Sequence, residues 1–351
     1  MSEKQNLIPL FIASKDRPTQ LKLLLESIER NAPDFFQINV LYSGSLYSYQ
    51  LGYRKLQSEV SNVNWIEEKT DWQYGRENSS TPLNIQRKNG VFIEQFYDFL
   101  EANKDDVFCL MVDDNIVYNK VPISPDDARN VLDEKTFSFS FRLGRNTTIQ
   151  NHLDGQPQLP LNIEKESGEF IKWNWHNYNN NFTDYAFPFS WDGVIYRTSD
   201  IIALLDGTDL DYDPAMPDSW KKFPLPHRLE SYMGAAAEGR MSVFGEKNMI
   251  CSLNQSCVVG MDYNKVIDVD NKGGAKFGAN ENDLCTIYLL GKCIDYDSIE
   301  TVEGEGCYPE RVRIMDERYK KSGRDAKDHP MHGLYTGLAQ EYGEISNDNP
   351  S

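Results

Sequence analysis

Residues 107–112, Val-Phe-Cys-Leu-Met-Val, form an unbroken apolar run of strand length, bounded upstream by Lys104-Asp105-Asp106. A run of this kind reads as a buried strand. It stops abruptly at Asp113-Asp114-Asn115, which places two carboxylates and an amide where the strand emerges. In an open α/β sheet the crevice beyond the carboxyl ends of the strands is where ligands bind. Adjacent acidic side chains at such a place suit a hard divalent cation held against a phosphate-bearing substrate. The same three residues also read as a turn closing the strand, because Asp and Asn form turns readily.

The chain before this run supports an α/β sheet. Leu7 to Ala13 reads as a short buried strand, in which Pro9 is tolerated near the start or at an edge. Ser14-Lys15-Asp16-Arg17-Pro18-Thr19 follows, and then Leu21, Leu23, Leu24, Leu25 and Ile28 at helical spacing. Pro18 suits a first-turn position, with Asp16 or Ser14 as the cap. Further strands are expected at Ile38–Tyr42 and around Asn64-Trp65-Ile66, and a helix at 91–100. Strands alternating with helices imply a mostly parallel sheet flanked by helices.

After the run, Thr136 to Leu143 alternates with period two and is a strand, while 144–181 reads as a long loop region carrying Trp173, Trp175 and Tyr178. Phe187 to Arg197 is read as a strand interrupted by Asp192-Gly193, with a helix over 199–205. A helix is expected from about Leu229 through Ala237, short strands over 242–260, and a helix near 282–293. The character of the chain changes near residue 261, so residues 1–260 are taken as one domain and 261–351 as a C-terminal segment packing on it.

Composition narrows the partners. The 351 residues carry 36 Lys plus Arg against 54 Asp plus Glu, a formal charge of −18. Nucleic acid and anionic membranes reward a basic surface, so neither is expected as a general partner. No stretch approaches the roughly 20 apolar residues that span a bilayer, and Met-Ser-Glu-Lys-Gln-Asn lacks a secretory apolar region. The expected location is cytoplasmic. Six cysteines without Cys-x-x-Cys spacing are read as reduced thiols.

The order of motifs resembles the GT-A nucleotide-sugar glycosyltransferases, in particular those of family 2. The resemblance rests on Ser14-Lys15-Asp16-Arg17-Pro18 after the first strand, Asp113-Asp114-Asn115 after a central one, Ser190-Trp191-Asp192-Gly193 leading into Tyr196-Arg197, and Leu229-Glu230 opening a later helix. It implies a GT-A-like fold and transfer of a sugar from a nucleoside diphosphate, most simply a UDP-sugar, to a hydroxyl of a carbohydrate or lipid-linked acceptor in surface polysaccharide assembly. Mn²⁺ or Mg²⁺ would neutralise the leaving diphosphate.

By the same resemblance, Asp113 would meet the nucleotide ribose and Asp114 the metal, with Asn115 at the third position of the usual Asp-x-Asp pattern. Ser14, Asp16, Arg17, Asp71, Arg87 and Lys88 would border the nucleotide. Asp16 and Arg17 also read as a helix cap and a surface ion pair, and Arg87 and Lys88 as a solvated helix start. An inverting transferase needs a carboxylate base at the acceptor hydroxyl. Glu230 is the first candidate and Asp192 the second, with helix-end charge stabilisation and a turn as their respective plain roles. His329 and His332 are candidates to complete the metal shell. A sugar nucleotidyltransferase and a non-catalytic carbohydrate-binding protein of the same fold are the alternatives.

Overall fold

The computed structural model describes residues 6–69, 90–150, 156–157, 161–178, 183–206, 247–260, 281–300 and 311–316. The first part runs β1 (Ile8–Lys15), α1 (Pro18–Asn31), β2 (Phe36–Ser43), α2 (Tyr47–Glu59) and β3 (Val63–Glu67). It continues with α3 (Gly90–Ala102), β4 (Val107–Val112), β5 (Asn115–Val117), α4 (Pro125–Asn130) and β6 (Thr136–Ser140). Four short strands follow: β7 (Ile149–Gln150), β8 (Gln156–Pro157), β9 (Lys165–Ser167) and β10 (Phe170–Asn174). The last elements are β11 (Val194–Arg197), α5 (Thr198–Asp206), β12 (Met249–Leu253), β13 (Val258–Gly260), α6 (Glu281–Leu289), β14 (Lys292–Glu300) and β15 (Arg311–Asp316).

Nine strands form one sheet in the order β3-β2-β1-β4-β11-β6-β12-β10-β9. Tracing directions through the pairings, β11 and β10 run against the other seven strands. The sheet is therefore mostly parallel, as its sequence pattern requires, and helices flank it. The alternation along β1 and β4 shows why both strands are apolar throughout. Ile8, Leu10 and Ile12, with Val107, Cys109 and Met111, face a core shared with α1 and α2. Phe11, Phe108 and Leu110 face the other core, against Phe92, Ile93, Phe96 and Leu100 of α3 and Ile201, Leu204 and Leu205 of α5. A strand buried on both faces cannot afford a polar residue at either parity.

Pro9 lies in a central strand, but as its second residue. Pairing with β4 begins only at Leu10, so the missing N–H falls outside that ladder. The chain runs β1 to β2 to β3 outward on one side, then returns to place β4 on the other side of β1. The strand order thus reverses between β1 and β4, the place where an open α/β sheet has its ligand crevice, beyond the strands' carboxyl ends.

Three expectations change. The Trp173 region is a strand rather than a loop: Phe170–Asn174 pairs with β12, and Trp173, Trp175, Tyr178 and Tyr185 form a satellite core. The strand expected over 187–197 shortens to Val194–Arg197, because Gly193 adopts φ +67° and turns the chain just before it. A helix not anticipated, α2, buries Tyr49, Gly52, Tyr53 and Leu56.

Residues 281–297 lie against α1 and α2. Thr19 Oγ1 donates to the Leu284 carbonyl at 2.9 Å, Tyr288 Oη to Glu59 at 2.8 Å, and Arg30 pairs with Asp297 at 2.5 Å. No helix among the described residues is long and apolar enough to cross a membrane.

Gly52 is fixed by this packing. A Cβ there would lie 2.6 Å from Pro18 Cγ and 3.1 Å from Cys285 Sγ. Gly52→Ala gains up to about 1 kcal/mol of helix propensity but overpacks at about 1–3 kcal/mol; urea denaturation is expected to show net destabilisation. A second test concerns Asp133, which ties β10 to the start of β6. Its carboxylate accepts from Lys172 Nζ, Thr136 Oγ1 and Lys135 N at 2.8, 2.8 and 3.0 Å. Burial opposes its charge, but these hydrogen bonds outweigh that and lower its pKa from 3.8 to about 2. A depressed carboxylate contributes stability above its unfolded value and loses it as pH falls toward the folded one. The wild-type melting temperature is therefore expected to fall more steeply than that of Asp133→Asn between pH 3.8 and about 2.

Candidate functional site

The crevice between β1 and β4 is where the sequence motifs meet. β1 ends at Lys15, β4 at Val112, and the polar residues following each are brought together across a separation of 96 or 97 positions. Asp113 is buried and Asp114 half-buried at the end of β4. Arg17 Nη1 donates to Asp113 Oδ1 at 3.1 Å and to Asp114 Oδ2 at 2.8 Å. The second oxygen of Asp113 accepts from Lys15 N at 3.2 Å. Burial disfavours the charge on Arg17, but Asp113 and Asp114 more than offset it and raise its pKa above the ordinary arginine value. The guanidinium is permanently charged.

The loop that delivers Arg17 departs from the capping expectation. Arg17 itself is the N-cap of α1 and no side chain caps the helix, while Pro18 takes the first turn as expected. Asp16 points away from the helix. At φ +60° it accepts from Ser45 N at 2.6 Å and Ser45 Oγ at 2.8 Å, tying the end of β1 to the end of β2. Asp tolerates this left-handed geometry better than most residues. Ser14 Oγ meets Tyr53 Oη at 2.7 Å, and the same hydroxyl accepts from Arg17 N at 3.2 Å. Tyr53, on the unanticipated α2, thus holds the loop from beneath. Burial, together with the nearby Asp113, keeps its phenol well above the ordinary value and so neutral.

Asn115 is fully buried, and both ends of its amide are engaged. Its Oδ1 accepts from Val112 N at 3.2 Å and its Nδ2 donates to Asp192 Oδ1 at 3.0 Å. Asp192 Oδ2 pairs with Arg142 Nη1 at 2.5 Å, and Arg142 Nη2 lies 4.0 Å from Asp184 Oδ1. Gly193 permits this approach: its N–H donates to the Leu110 carbonyl at 2.9 Å, and a Cβ would meet Val258 at 3.0 Å. Asp192 is therefore braced on both oxygens beside the β4 terminus. Sequence reasoning missed Tyr53, Arg142 and Asp184. Arg142 had a signal, since it puts a charge at a position of the alternating strand where Thr136, Ser138 and Ser140 are small and neutral. Leu46 and Tyr47, exposed by 52% and 67%, follow Ser45 directly at the rim.

Ser14, Asp16, Arg17, Asp113, Asp114, Asn115 and Asp192 are thus brought to one end of the sheet. Asp71, Arg87, Lys88, Glu230, His329 and His332 lie outside the described residues.

A divalent ion of the Mg²⁺ or Mn²⁺ kind needs several oxygen donors at about 2.0–2.2 Å. No group of three or more His, Cys, Asp or Glu able to hold a metal occurs among the described residues. Asp113 and Asp114 already share one guanidinium nitrogen, and Asn115 Oδ1 faces a backbone N–H. Two like unit charges 4 Å apart repel by about 4 kcal/mol at an effective dielectric near 20, and a divalent ion doubles that. With Arg17 in place, these residues do not fit a divalent ion.

No family model matches the sequence, and no curated protein matches it. Among solved structures the chain is similar to the WbbM bifunctional glycosyltransferase in its apo form, at 13% identity and TM-score 0.32, covering 70% of this chain and 45% of that one. It thus spans less than half the length of the bifunctional enzyme. It is similar to the galactosyltransferase LgtC in complex with donor and acceptor sugar analogs, at 11% identity and TM-score 0.35, covering 80% and 96% of the two chains. A third is 4-diphosphocytidyl-2C-methyl-D-erythritol synthase from Anaerococcus prevotii, at 10% identity and TM-score 0.31, covering 71% and 87%. At these scores the likenesses carry no argument about chemistry, and the α/β class rests on the strand order itself.

Proposed function

We propose that the chain is a GT-A-type glycosyltransferase that moves a sugar from a nucleoside diphosphate to a hydroxyl of a carbohydrate or lipid-linked acceptor, in surface polysaccharide assembly. The observation that carries this reading is the convergence of Lys15, Arg17, Asp113 and Asp114 at the point where the strand order reverses, beyond the carboxyl ends of β1 and β4. A nucleotide bound in such a crevice directs its phosphates at the loop after the first strand. Here that loop offers the exposed Lys15, whose ammonium suits anionic oxygens. Tyr47 at the rim offers a ring face on which a base or sugar can stack.

The acceptor side is assigned to the Asp192 end. Asp192 is oriented by Asn115 and Arg142, and a carboxylate oxygen that accepts one hydrogen bond keeps a lone pair for a second. Such a group orients an acceptor hydroxyl. Glu230 is retained as the base that takes its proton, so that the hydroxyl oxygen forms the new glycosidic bond while the sugar–phosphate bond breaks. Inversion follows from a single displacement. Mn²⁺ or Mg²⁺ at the diphosphate is implied only by the resemblance to the GT-A transferases.

The test is a panel of nucleotide sugars assayed for hydrolysis and transfer, with UDP-sugars expected to be turned over. Glu230→Gln is expected to retain UDP binding by calorimetry while losing roughly 100-fold or more in turnover. Turnover unchanged in that variant moves the base elsewhere, and a panel with neither hydrolysis nor binding refutes the transferase. Arg142→Ala is expected to raise the KM for acceptor more than that for donor, because it loosens Asp192 and leaves the β1 loop untouched.

A further inference from the structure

Arg17 meets the acidic pair in an unusual way. A single nitrogen, Nη1, bridges two carboxylates on adjacent residues at 3.1 and 2.8 Å, the bonding pattern of a small cation. The side chain is 9% exposed and that of Asp113 5%, so the contact is packed rather than solvated. The backbone on either side is also fixed. Tyr53 Oη accepts from Arg17 N, Asp16 is clamped by Ser45, and Pro18 rests against Gly52.

We propose that Arg17 is the resident cation of the Asp113–Asp114 pair, standing where a divalent ion would bind, so that the pair takes such an ion only after the guanidinium has withdrawn. The inference concerns the charge balance of the pair and does not depend on which reaction the site performs. Arginine cannot be neutralised at accessible pH, so the pair is not freed by raising the pH. Its release requires movement of the side chain, or of the 14–18 loop that carries it.

The experiment titrates Mn²⁺ alone into the full-length protein and reads the free ion by its electron paramagnetic resonance signal. The wild type is expected to show no saturable site that Asp114→Asn removes. Arg17→Gln is expected to bind Mn²⁺ roughly tenfold or more tighter than wild type, because a buried and a half-buried carboxylate lose their counter-charge. The gain should disappear in the Arg17→Gln/Asp114→Asn double variant. A wild-type site that Asp114→Asn abolishes and Arg17→Gln leaves unchanged would overturn the proposal. Should Arg17→Gln fail to fold, the wild type alone decides. Millimolar Mn²⁺ should shift its melting temperature no more than that of Asp114→Asn, and a larger rise in the wild type refutes the assignment. No nucleotide is present, so an inactive transferase assay leaves this result untouched.

Discussion

The arrangement at the carboxyl end of β4 depends on compensating two acidic side chains that the fold removes from water. A buried carboxylate without a partner is costly, and breaking an existing buried pair by removing one member costs about 3–5 kcal/mol. Arg17 supplies the charge, and the features around it serve its position. Asp16 at φ +60° turns the chain out of β1, Tyr53 holds the loop's N–H and hydroxyl groups, and the missing Cβ at Gly52 lets α2 close against Pro18. Ionic pairing at the site and helix packing beneath it are thus parts of one constraint.

A second brace runs across the sheet. Asn115 begins β5, which pairs with β13, while its side chain reaches Asp192 ahead of β11. The same residue therefore joins the end of β4 to the two-stranded sheet and to the opposite wall of the crevice. Its full burial and its two engaged amide atoms describe a structural strut, a role an amide fills without the desolvation penalty of a carboxylate.

Much of this was legible in the residues themselves. The apolar run 107–112, the leucine spacing after Pro18, and the abrupt acidic stop at Asp113 identify β4, α1 and the site end, because two-sided burial and helical periodicity leave strong local patterns. What stayed hidden is non-local or weakly patterned. Helix α2 buries a face of Tyr49, Gly52, Tyr53 and Leu56, a weak apolar stripe in a segment otherwise mostly polar. The stretch around Trp173 reads as loop because Asn and Gly are frequent around it, yet Phe170–Asn174 is an inner strand paired with both β12 and β9. Nor does any local signal reveal that Arg17 faces Asp113 and Asp114 rather than solvent.

The distances along the chain have a kinetic consequence. The contacts Arg17–Asp114, Asn115–Asp192 and Asn146–Ser256 close separations of 97, 77 and 110 residues. Such closures pay loop entropy before they return any contact energy. Helix α1 can form early from its own leucines, but its first residue before the helix meets its counter-charges only when β1 and β4 come into register. The charged crevice therefore assembles only with the pairing of β1 and β4, and a chain in which those strands are apart carries its acidic pair without its counter-charge.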